Sequence, residues 1–224
     1  MQIKKSIILF FVINLTLTYP LAEKYDKHYV VILDPAGDAK HTGRRIGDSF
    51  ERGLTLQCAE KIKEYVEINA SHIKIVITRV AGDSVYDFQN ASLANRIGDF
   101  FINLNFYYTQ ETKPTVYLYQ FSYGNDFVSQ SDNCLQLYHY DQAYLINKHT
   151  SGLFGQCFNK ELSEKKWQSL FFVTTLYKIP IKPLIGITIP SISIEAGLKS
   201  KESWHFYSEP IALAIIAAIN ELRE

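Results

Sequence analysis

Four polar residues stand where predicted strands end or where a helix begins, and their side chains could do chemistry. Asp34 follows the apolar run Val30–Leu33, and Glu51 falls in the first turn of a predicted helix. Asn105 ends the run FFINLN, and Glu195 ends the run IGITIPSISIE. Because open α/β sheets place ligands at the carboxyl ends of their strands, these four residues are expected to converge at one rim.

Each of these residues also has a purely structural interpretation. Asp34 before Pro35 is a common turn initiator. Glu51 follows Asp48 at D-x-x-E spacing and could complete a helix capping box, and Asn105 could simply end a strand. Glu195 stands between Ile194 and Ala196, where an unpaired carboxylate would be costly to bury, so its position points more strongly to a function.

The elements that must position these residues alternate between strand and helix. A buried strand precedes Asp34, and Asp48 or Ser49 is predicted to cap a helix that ends near Asn69. Further strands are predicted at 73–77, 100–105, 115–121 (at a sheet edge) and 185–195, with a short helix at 91–97 and a last helix at 210–223 capped by Ser208. This alternation predicts an α/β single domain with a mostly parallel central sheet and helices on both faces.

Length and charge restrict the possible functions. A chain of 224 residues with 47% hydrophobic content can bury one substantial core. Its 23 basic and 23 acidic residues cancel, and no basic stripe suits a phosphate backbone, so nucleic acid is excluded as a partner.

The first residues have the pattern of an export signal. Lys4 and Lys5 precede an apolar run from Ile7 to Leu17, which is short for a membrane span. We therefore expect residues 1–22 to be a signal peptide or an N-terminal anchor, with any membrane contact only through an uncleaved leader. Residues 23–224 would form the exported domain, in the periplasm or outside the cell at the envelope, with an insertion at about 122–167.

The chain has three cysteines, so one thiol is left over if any pair forms. Cys58 falls within a helical pattern and is expected in the core. Cys134 and Cys157 could form a disulfide in an oxidising compartment, and the sequence leaves this open.

From about Tyr29 onward the chain resembles the zinc-dependent N-acetylmuramoyl-L-alanine amidases, which cleave peptidoglycan and open on a D-P-G-H-G-G motif. The matching segments, in order, are ILDPAGDA, HTGR, SFERGLTLQCAEKIKEYVE, IVITR, SLANRIGDFFINLN, PSISIEAGLKSKES and IALAIIAAINEL. The resemblance implies a zinc ion held by two histidines and a glutamate, with a further glutamate as general base. By position, Glu51 would be the zinc glutamate and Glu195 the catalytic one.

Both zinc histidines of that pattern are absent. Gly37 stands where the first is expected and Asn105 where the second is expected. Glycine offers no side-chain ligand and an amide is a poor zinc ligand, so we expect no bound cofactor and treat zinc as ancestral. Asp38 or His41 could compensate through a shifted site, and zinc then remains the alternative. Replacing Gly37 and Asn105 by histidine is expected to create zinc affinity if the alignment and the cleft are intact.

The resemblance therefore implies an exported, catalytically degenerate homologue that binds cell-wall fragments or another envelope protein. The alternative is an active metal-dependent peptidoglycan amidase. The chain carries 15 tyrosines, several of them near residues 117–145. These rings could stack on sugars or anchor a partner, or they could fill the core beneath a long loop.

Overall fold

The apolar run after Tyr29 forms strand β1 (Tyr29–Pro35), in which Val31, Ile32 and Leu33 are completely buried. The structure is a computed structural model that describes residues 27–124 and 139–223. The elements after β1 are β2 (Arg45–Ile46), β3 (Ser49–Phe50), α1 (Glu51–Asn69), β4 (Ile73–Ile77), α2 (Asp87–Ile97), β5 (Phe100–Tyr108), β6 (Thr115–Phe121), α3 (Lys148–Leu162), β7 (Phe172–Ile179), β8 (Ser191–Leu198) and α4 (His205–Arg223).

A six-stranded sheet forms the centre of the fold, in the order β4-β1-β5-β8-β6-β7. Strands β4, β1, β5 and β8 are parallel, whereas β6 is antiparallel to β8 and parallel to β7. The carboxyl ends of β1, β5 and β8 therefore meet at one edge of the sheet. The prediction of a single-domain, mostly parallel α/β fold is confirmed.

Helices cover both faces of this sheet. One core joins β1, β5 and β8 to apolar side chains of three helices, including Ile62 of α1, Phe154 of α3 and Ile215 of α4. On the opposite face, Ala91 and Ala94 of α2 pack against Ile32 and Phe101. Within the described residues, no helix is long and apolar enough to cross a membrane.

Both predicted helix caps were wrong. Helix α1 begins at Glu51 without a side-chain cap, because the carbonyls of Arg44 and Thr42 in the preceding loop accept its first N–H groups. Asp48 instead pairs with Lys201. Helix α4 begins before Ser208, whose hydroxyl donates back to the carbonyl of His205 within the first turn.

Two strand predictions also need correction. Strand β6 is not at a sheet edge, because β7 pairs outside it over Thr115–Phe121. Of the segment 185–195, only the part from Ser191 is a strand, and the chain before it makes a 3-10 turn at Lys182–Leu184.

In its part from residue 139 onward, the segment 122–167 contains a 3-10 helix at Tyr140–Asn147 followed by α3. Cys134 lies outside the described residues, so its pairing with Cys157, which the sequence leaves open, is not tested. Cys58 is fully buried in the core as expected, and this burial raises the pKa of its thiol.

Candidate functional site

The carboxyl ends of three parallel strands bring the sequence-predicted residues together. Asp34 on β1 is in register with Asn103 on β5, and Asn105 on β5 is in register with Glu195 on β8. Glu51 joins them from the first turn of α1, because its carboxylate reaches the backbone of β5 at Phe106. The four residues that were expected to converge do lie at one rim. Asn105 and Glu195 do not end their strands, however, because β5 continues to Tyr108 and β8 to Leu198.

Glu51 is held by the main chain. Its side chain is buried, with Oε1 accepting a hydrogen bond from the Phe106 N–H at 2.8 Å and Oε2 accepting one from the Arg44 N–H at 3.0 Å. Gly43 allows this close approach, since a Cβ atom there would lie 2.7 Å from Oε2. Both carboxylate oxygens therefore have fixed partners.

Glu195 is paired on both oxygens as well. Tyr119 donates its hydroxyl to Oε2 at 2.9 Å, and Arg44 forms an ion pair with Oε1 through Nη1. The same Nη1 donates to the Phe106 carbonyl at 3.3 Å. Burial, reinforced by the hydrogen bond to Glu195, raises the pKa of the Tyr119 hydroxyl, so it stays a proton donor.

Sequence reasoning missed Arg44 and Tyr119 as partners of Glu195. Arg44 and Glu195 are separated by 151 residues, and nothing local in the sequence couples them. The available signal was the segment HTGR, which contains Arg44 and follows the opening strand closely. The guanidinium of Arg44 places a fixed positive charge between the ends of β5 and β8.

Asn105 presents its amide nitrogen to the protein. Nδ2 lies 2.5 Å from Asn103 Oδ1, 3.1 Å from Ser193 Oγ and 3.3 Å from the Ile194 carbonyl. Asn103 is buried and in turn donates to Asp34 Oδ2 at 3.0 Å. The amide of Asn105 thus belongs to a hydrogen-bond network that starts at Asp34.

Asp34 is a buried acceptor at the centre of that network. Thr78 and Asn90 donate to its Oδ1 at 2.7 Å and 2.8 Å. Burial raises the pKa of this carboxyl to about 6, against the lowering effect of the hydrogen bonds from Thr78 and Asn103. Asp34 therefore links β1 to β4, α2 and β5.

Asp38 and His41 occupy the loop after β1. Asp38 is buried and accepts hydrogen bonds from the backbone N–H groups of Lys40, His41 and Val85. Burial alone would raise the pKa of Asp38, but these hydrogen bonds outweigh it and lower the pKa to about 2. The His41 ring is largely exposed, with Nδ1 3.2 Å from Asp38 Oδ1.

The residues at this rim do not fit the zinc site that the resemblance implies. Gly37 has a φ of +77°, and a Cβ atom there would lie 2.8 Å from the Cβ of Arg52, so the helix occupies the space that a side chain would need. Of the three ligands that the resemblance implies, Glu51 is the only one present, and Asn105 turns its amide nitrogen toward Asn103. In the described part of the chain, no group of three His, Cys, Asp or Glu side chains could hold a metal ion.

A cavity of about 270 Å³ opens beside these residues. Its lining is mostly polar and comes from β1, the following loop, α2, β5 and the 3-10 turn at Lys182–Leu184, including Asp34, Gly37, Asp38, His41, Asn90 and Asn105. The arrangement can bind a small polar group.

On the side of Glu195 away from this cavity, tyrosines form a row on the sheet. The rings of Tyr117 and Tyr119 are stacked with centroids 6.3 Å apart, and Tyr177 of β7 lies against both. Tyr177 is 43% exposed, whereas Tyr144 is buried against Phe121. Some tyrosine rings, such as Tyr177, are therefore exposed at the surface, and others, such as Tyr144, fill the core.

No protein-family model and no curated protein sequence matches this chain. Solved structures do match its fold. The catalytic domain of CwlV, an N-acetylmuramoyl-L-alanine amidase from Bacillus (Paenibacillus) polymyxa var. colistinus, has a TM-score of 0.62 at 16% identity, over 87% of this chain and 97% of that one. The N-acetylmuramoyl-L-alanine amidase from Clostridium difficile 630 has a TM-score of 0.62 at 14% identity, over 87% and 98%.

The CwlD amidase from Clostridioides difficile, solved in complex with the GerS lipoprotein, is a further match. Its TM-score is 0.58 at 17% identity, over 87% of this chain and 98% of CwlD. At such low identities the likeness concerns the fold. The chain has the fold of N-acetylmuramoyl-L-alanine amidase catalytic domains.

Proposed function

We propose that this chain is an exported homologue of the peptidoglycan amidases that no longer hydrolyses its ligand and instead binds cell-wall fragments. The fold matches amidase catalytic domains over almost their whole length. Residues 1–22 would direct export, as their charge and apolar pattern suggest.

The pairing of Glu195 is the observation that carries this proposal. A general base must reach a water molecule with a free lone pair. Here Arg44 takes one carboxylate oxygen and Tyr119 donates to the other. Each carboxylate oxygen is thus already bound to a fixed donor, and the described residues include no group of three His, Cys, Asp or Glu side chains that could hold a metal ion to activate water in its place.

The open surface beside Glu195 supports binding. Tyrosine rings present an apolar face and a hydroxyl, a combination suited to the alternating C–H and O–H groups of a sugar ring. The row of Tyr117, Tyr119 and Tyr177 meets the rim that also carries the polar cavity.

Sedimentation with insoluble peptidoglycan tests the proposal. The purified protein is expected to pellet with it without releasing peptides from the glycan, and Glu195→Gln is expected to pellet equally well. Tyr177→Ala is expected to weaken binding about fivefold, in line with the typical contribution of about 1 kcal/mol for an aromatic contact.

Tyr108→Ala is the matched control, because Tyr108 is 46% exposed, as against 43% for Tyr177. Its side chain lies on the opposite face of β5 from that of Tyr107, whose ring centroid is 6.0 Å from that of Tyr117. Equal losses in both variants would contradict the role of the tyrosine row. In cells, we expect the protein in the envelope fraction, and we expect it to lack residues 1–22.

An active amidase with a shifted metal site is the second candidate, and the proximity of His41 to Asp38 favours it. The exposed imidazole lies 3.2 Å from the carboxylate, so the pair could offer two ligands if the loop rearranged. The purified protein should then contain nearly stoichiometric zinc. Loss of both the zinc and the hydrolytic activity on chelation, and recovery of both when zinc is added back, would establish this candidate and remove the first.

Binding to an envelope protein is a variant of the first proposal. The CwlD amidase, which has this fold, was solved in complex with the GerS lipoprotein, so one protein of this fold binds a lipoprotein. Failure to pellet with peptidoglycan, combined with a stoichiometric complex with a purified envelope protein, would favour this variant.

A further inference from the structure

Gln120 of β6 has a buried amide oxygen without a partner. The residue is only 3% exposed, and within the described residues its Oε1 accepts no hydrogen bond. Its Nε2 donates to the main-chain carbonyl of Lys148 at 2.6 Å. Because a carbonyl can only accept, the nitrogen and not the oxygen of this amide must face Lys148. The unpaired oxygen therefore calls for a donor from a bound molecule.

A second cavity, of about 400 Å³, lies beside Gln120 between β6, β7 and the first turns of α3. Among the described residues that line it, Gln120 alone is buried, so it forms the floor. Gly152 of α3 lines the cavity too, and a Cβ atom there would lie 3.5 Å from the Gln120 Oε1 and in contact with it. The absence of a side chain at Gly152 thus leaves space next to the unpaired oxygen.

The second cavity is separate from the rim that carries Glu195. Tyr119 directs its hydroxyl to Glu195, and successive residues of a strand point to opposite faces of the sheet. Gln120 follows Tyr119 and lies beyond the pair Tyr119–Ser193, toward the amino end of β8. The second cavity is therefore on the opposite face of the sheet and toward the opposite end of β8.

The charged groups around the second cavity favour an anion. Lys178 on the edge strand β7 is in register with Gln120, so the two side chains lie on the same face. Lys148 and His149 contribute from the start of α3, and none of the described lining residues is acidic. Because Lys178 and His149 are exposed, the positive charge lies at the mouth and the unpaired acceptor at the floor.

We propose that the second cavity binds the carboxylate end of an acylated amino acid, either free or as the last residue of a peptide. In this group an amide N–H stands one carbon away from a carboxylate. The N–H would donate to the Gln120 Oε1, and the carboxylate would lie near Lys178 and His149. Leu145 and Leu153 would give its side chain an apolar wall. This inference does not rest on the proposed function.

An NMR titration of the isotope-labelled full chain with three probes tests the proposal. N-acetylalanine carries both groups, O-acetyllactate has an ester oxygen in place of the N–H, and N-acetylalaninamide lacks the charge. N-acetylalanine is expected to bind about tenfold more tightly than either of the others and to shift the side-chain amide signals of Gln120. Equal affinities for N-acetylalanine and O-acetyllactate, or no binding, would overturn the proposal and leave water as the donor.

Gly152→Ala tests the position of the ligand, because its methyl group would cover the unpaired oxygen. We expect it to weaken the binding of N-acetylalanine at least fivefold, with no loss of stability, since alanine is favoured over glycine within a helix. Gly53→Ala in α1 is the matched control, because a Cβ atom there has nothing within 4 Å. Unchanged binding in Gly152→Ala would contradict the proposed position.

Lys178→Gln tests the contribution of charge and is expected to weaken the binding of N-acetylalanine about threefold. Lys165→Gln is the control, since Lys165 is also exposed but follows the far end of α3. Equal affinities in the two variants would overturn the role of Lys178.

A longer probe distinguishes the two sources of the ligand. If N-acetyl-trialanine binds as tightly as N-acetylalanine, the second cavity accepts the end of a peptide. If only N-acetylalanine binds, the ligand is a free acylated amino acid. Either result supports recognition of the N–H and the carboxylate.

Discussion

Gly37 lies in a backbone conformation and a crowded place that both exclude a side chain. Its φ of +77° strains any L-residue at this position. A Cβ atom added to Gly37 would also lie only 2.8 Å from the Cβ of Arg52 and would clash with it. A histidine at Gly37 would have to displace the start of α1. This crowding argues against the expectation that histidines at Gly37 and Asn105 would suffice to create a zinc site.

Gly37→Ala is expected to lower the free energy of unfolding by about 2–3 kcal/mol, because conformational strain and crowding add. Gly47 has a φ of +61° and nothing within 4 Å of an added Cβ, so Gly47→Ala isolates the conformational cost of about 1 kcal/mol. Urea denaturation measures both. Equal losses of stability in the two variants would show that the start of α1 moves easily to accommodate a Cβ atom at Gly37.

Asp34 gives the stability of the protein a pH dependence of unusual sign for a carboxylate. Its pKa is raised from 3.8 to about 6, so the folded state binds the proton more tightly than the unfolded state. The stabilisation is complete below pH 4 and is lost as the pH rises to about 6. Across this window the contribution of Asp34 is expected to fall by up to about 3 kcal/mol.

Asp34→Asn is expected to remove this decline between pH 4 and pH 6, although the variant is less stable at every pH because Asn cannot accept all three hydrogen bonds. Asp38→Asn is the contrasting control. The pKa of Asp38 is lowered to about 2, so its stabilisation is lost only as the pH falls below about 4. Urea denaturation at half-unit steps of pH measures the stability of both variants. If the decline in stability between pH 4 and pH 6 persisted in Asp34→Asn as it should in Asp38→Asn, its assignment to Asp34 would be wrong.

At the scale of elements, buried Arg79 holds the loop after β1 against α1. It donates to the carbonyl of Pro35 at the end of β1, to that of Ala36 in the loop, and to that of Arg52 in the first turn of the helix. Thr55 adds a hydrogen bond to the Ala36 carbonyl at 2.8 Å. The floor of the cavity and the position of Glu51 therefore depend on one guanidinium.

Arg79→Met is expected to lower the free energy of unfolding by about 3 kcal/mol, since it leaves buried carbonyls without donors. Arg45→Met is the control, because the Arg45 side chain has one hydrogen bond, to the Gly47 carbonyl, and is exposed. A loss of less than 1 kcal/mol in Arg79→Met would mean that water replaces the guanidinium.

The sequence predicted the elements that carry a local apolar pattern. These are the strands β1, β5 and β8, which are apolar runs, and the helix α1, whose apolar residues are spaced for one buried face. Strand β7 does not carry such a pattern, because it is an exposed edge strand with Phe172, Tyr177 and Ile179 facing outward in part. The predicted cap of α1 failed because main-chain carbonyls of the preceding loop accept its first N–H groups. The predicted cap of α4 failed because that helix already begins at His205.

At the scale of the whole molecule, the sequence predicted which residues reach the rim but not how they are paired. Glu51 and Glu195 could be recognised by position. The contact of Arg44 with Glu195 joins the loop before α1 to strand β8, 151 residues further along the chain. The orientation of Asn105 depends on Asp34 through Asn103. Such pairings are set by tertiary packing, which no local pattern encodes.

The placement of β8 has a consequence for how the chain matures. It is the last strand along the described chain, yet it lies between β5 and β6 in the sheet. Until β8 pairs with them, the strands β4-β1-β5 and the pair β6-β7 each have an unpaired edge. The sheet of a polypeptide emerging from the ribosome therefore stays incomplete until β8 has been synthesised. Until then, two unpaired strand edges are open to pairing with other chains.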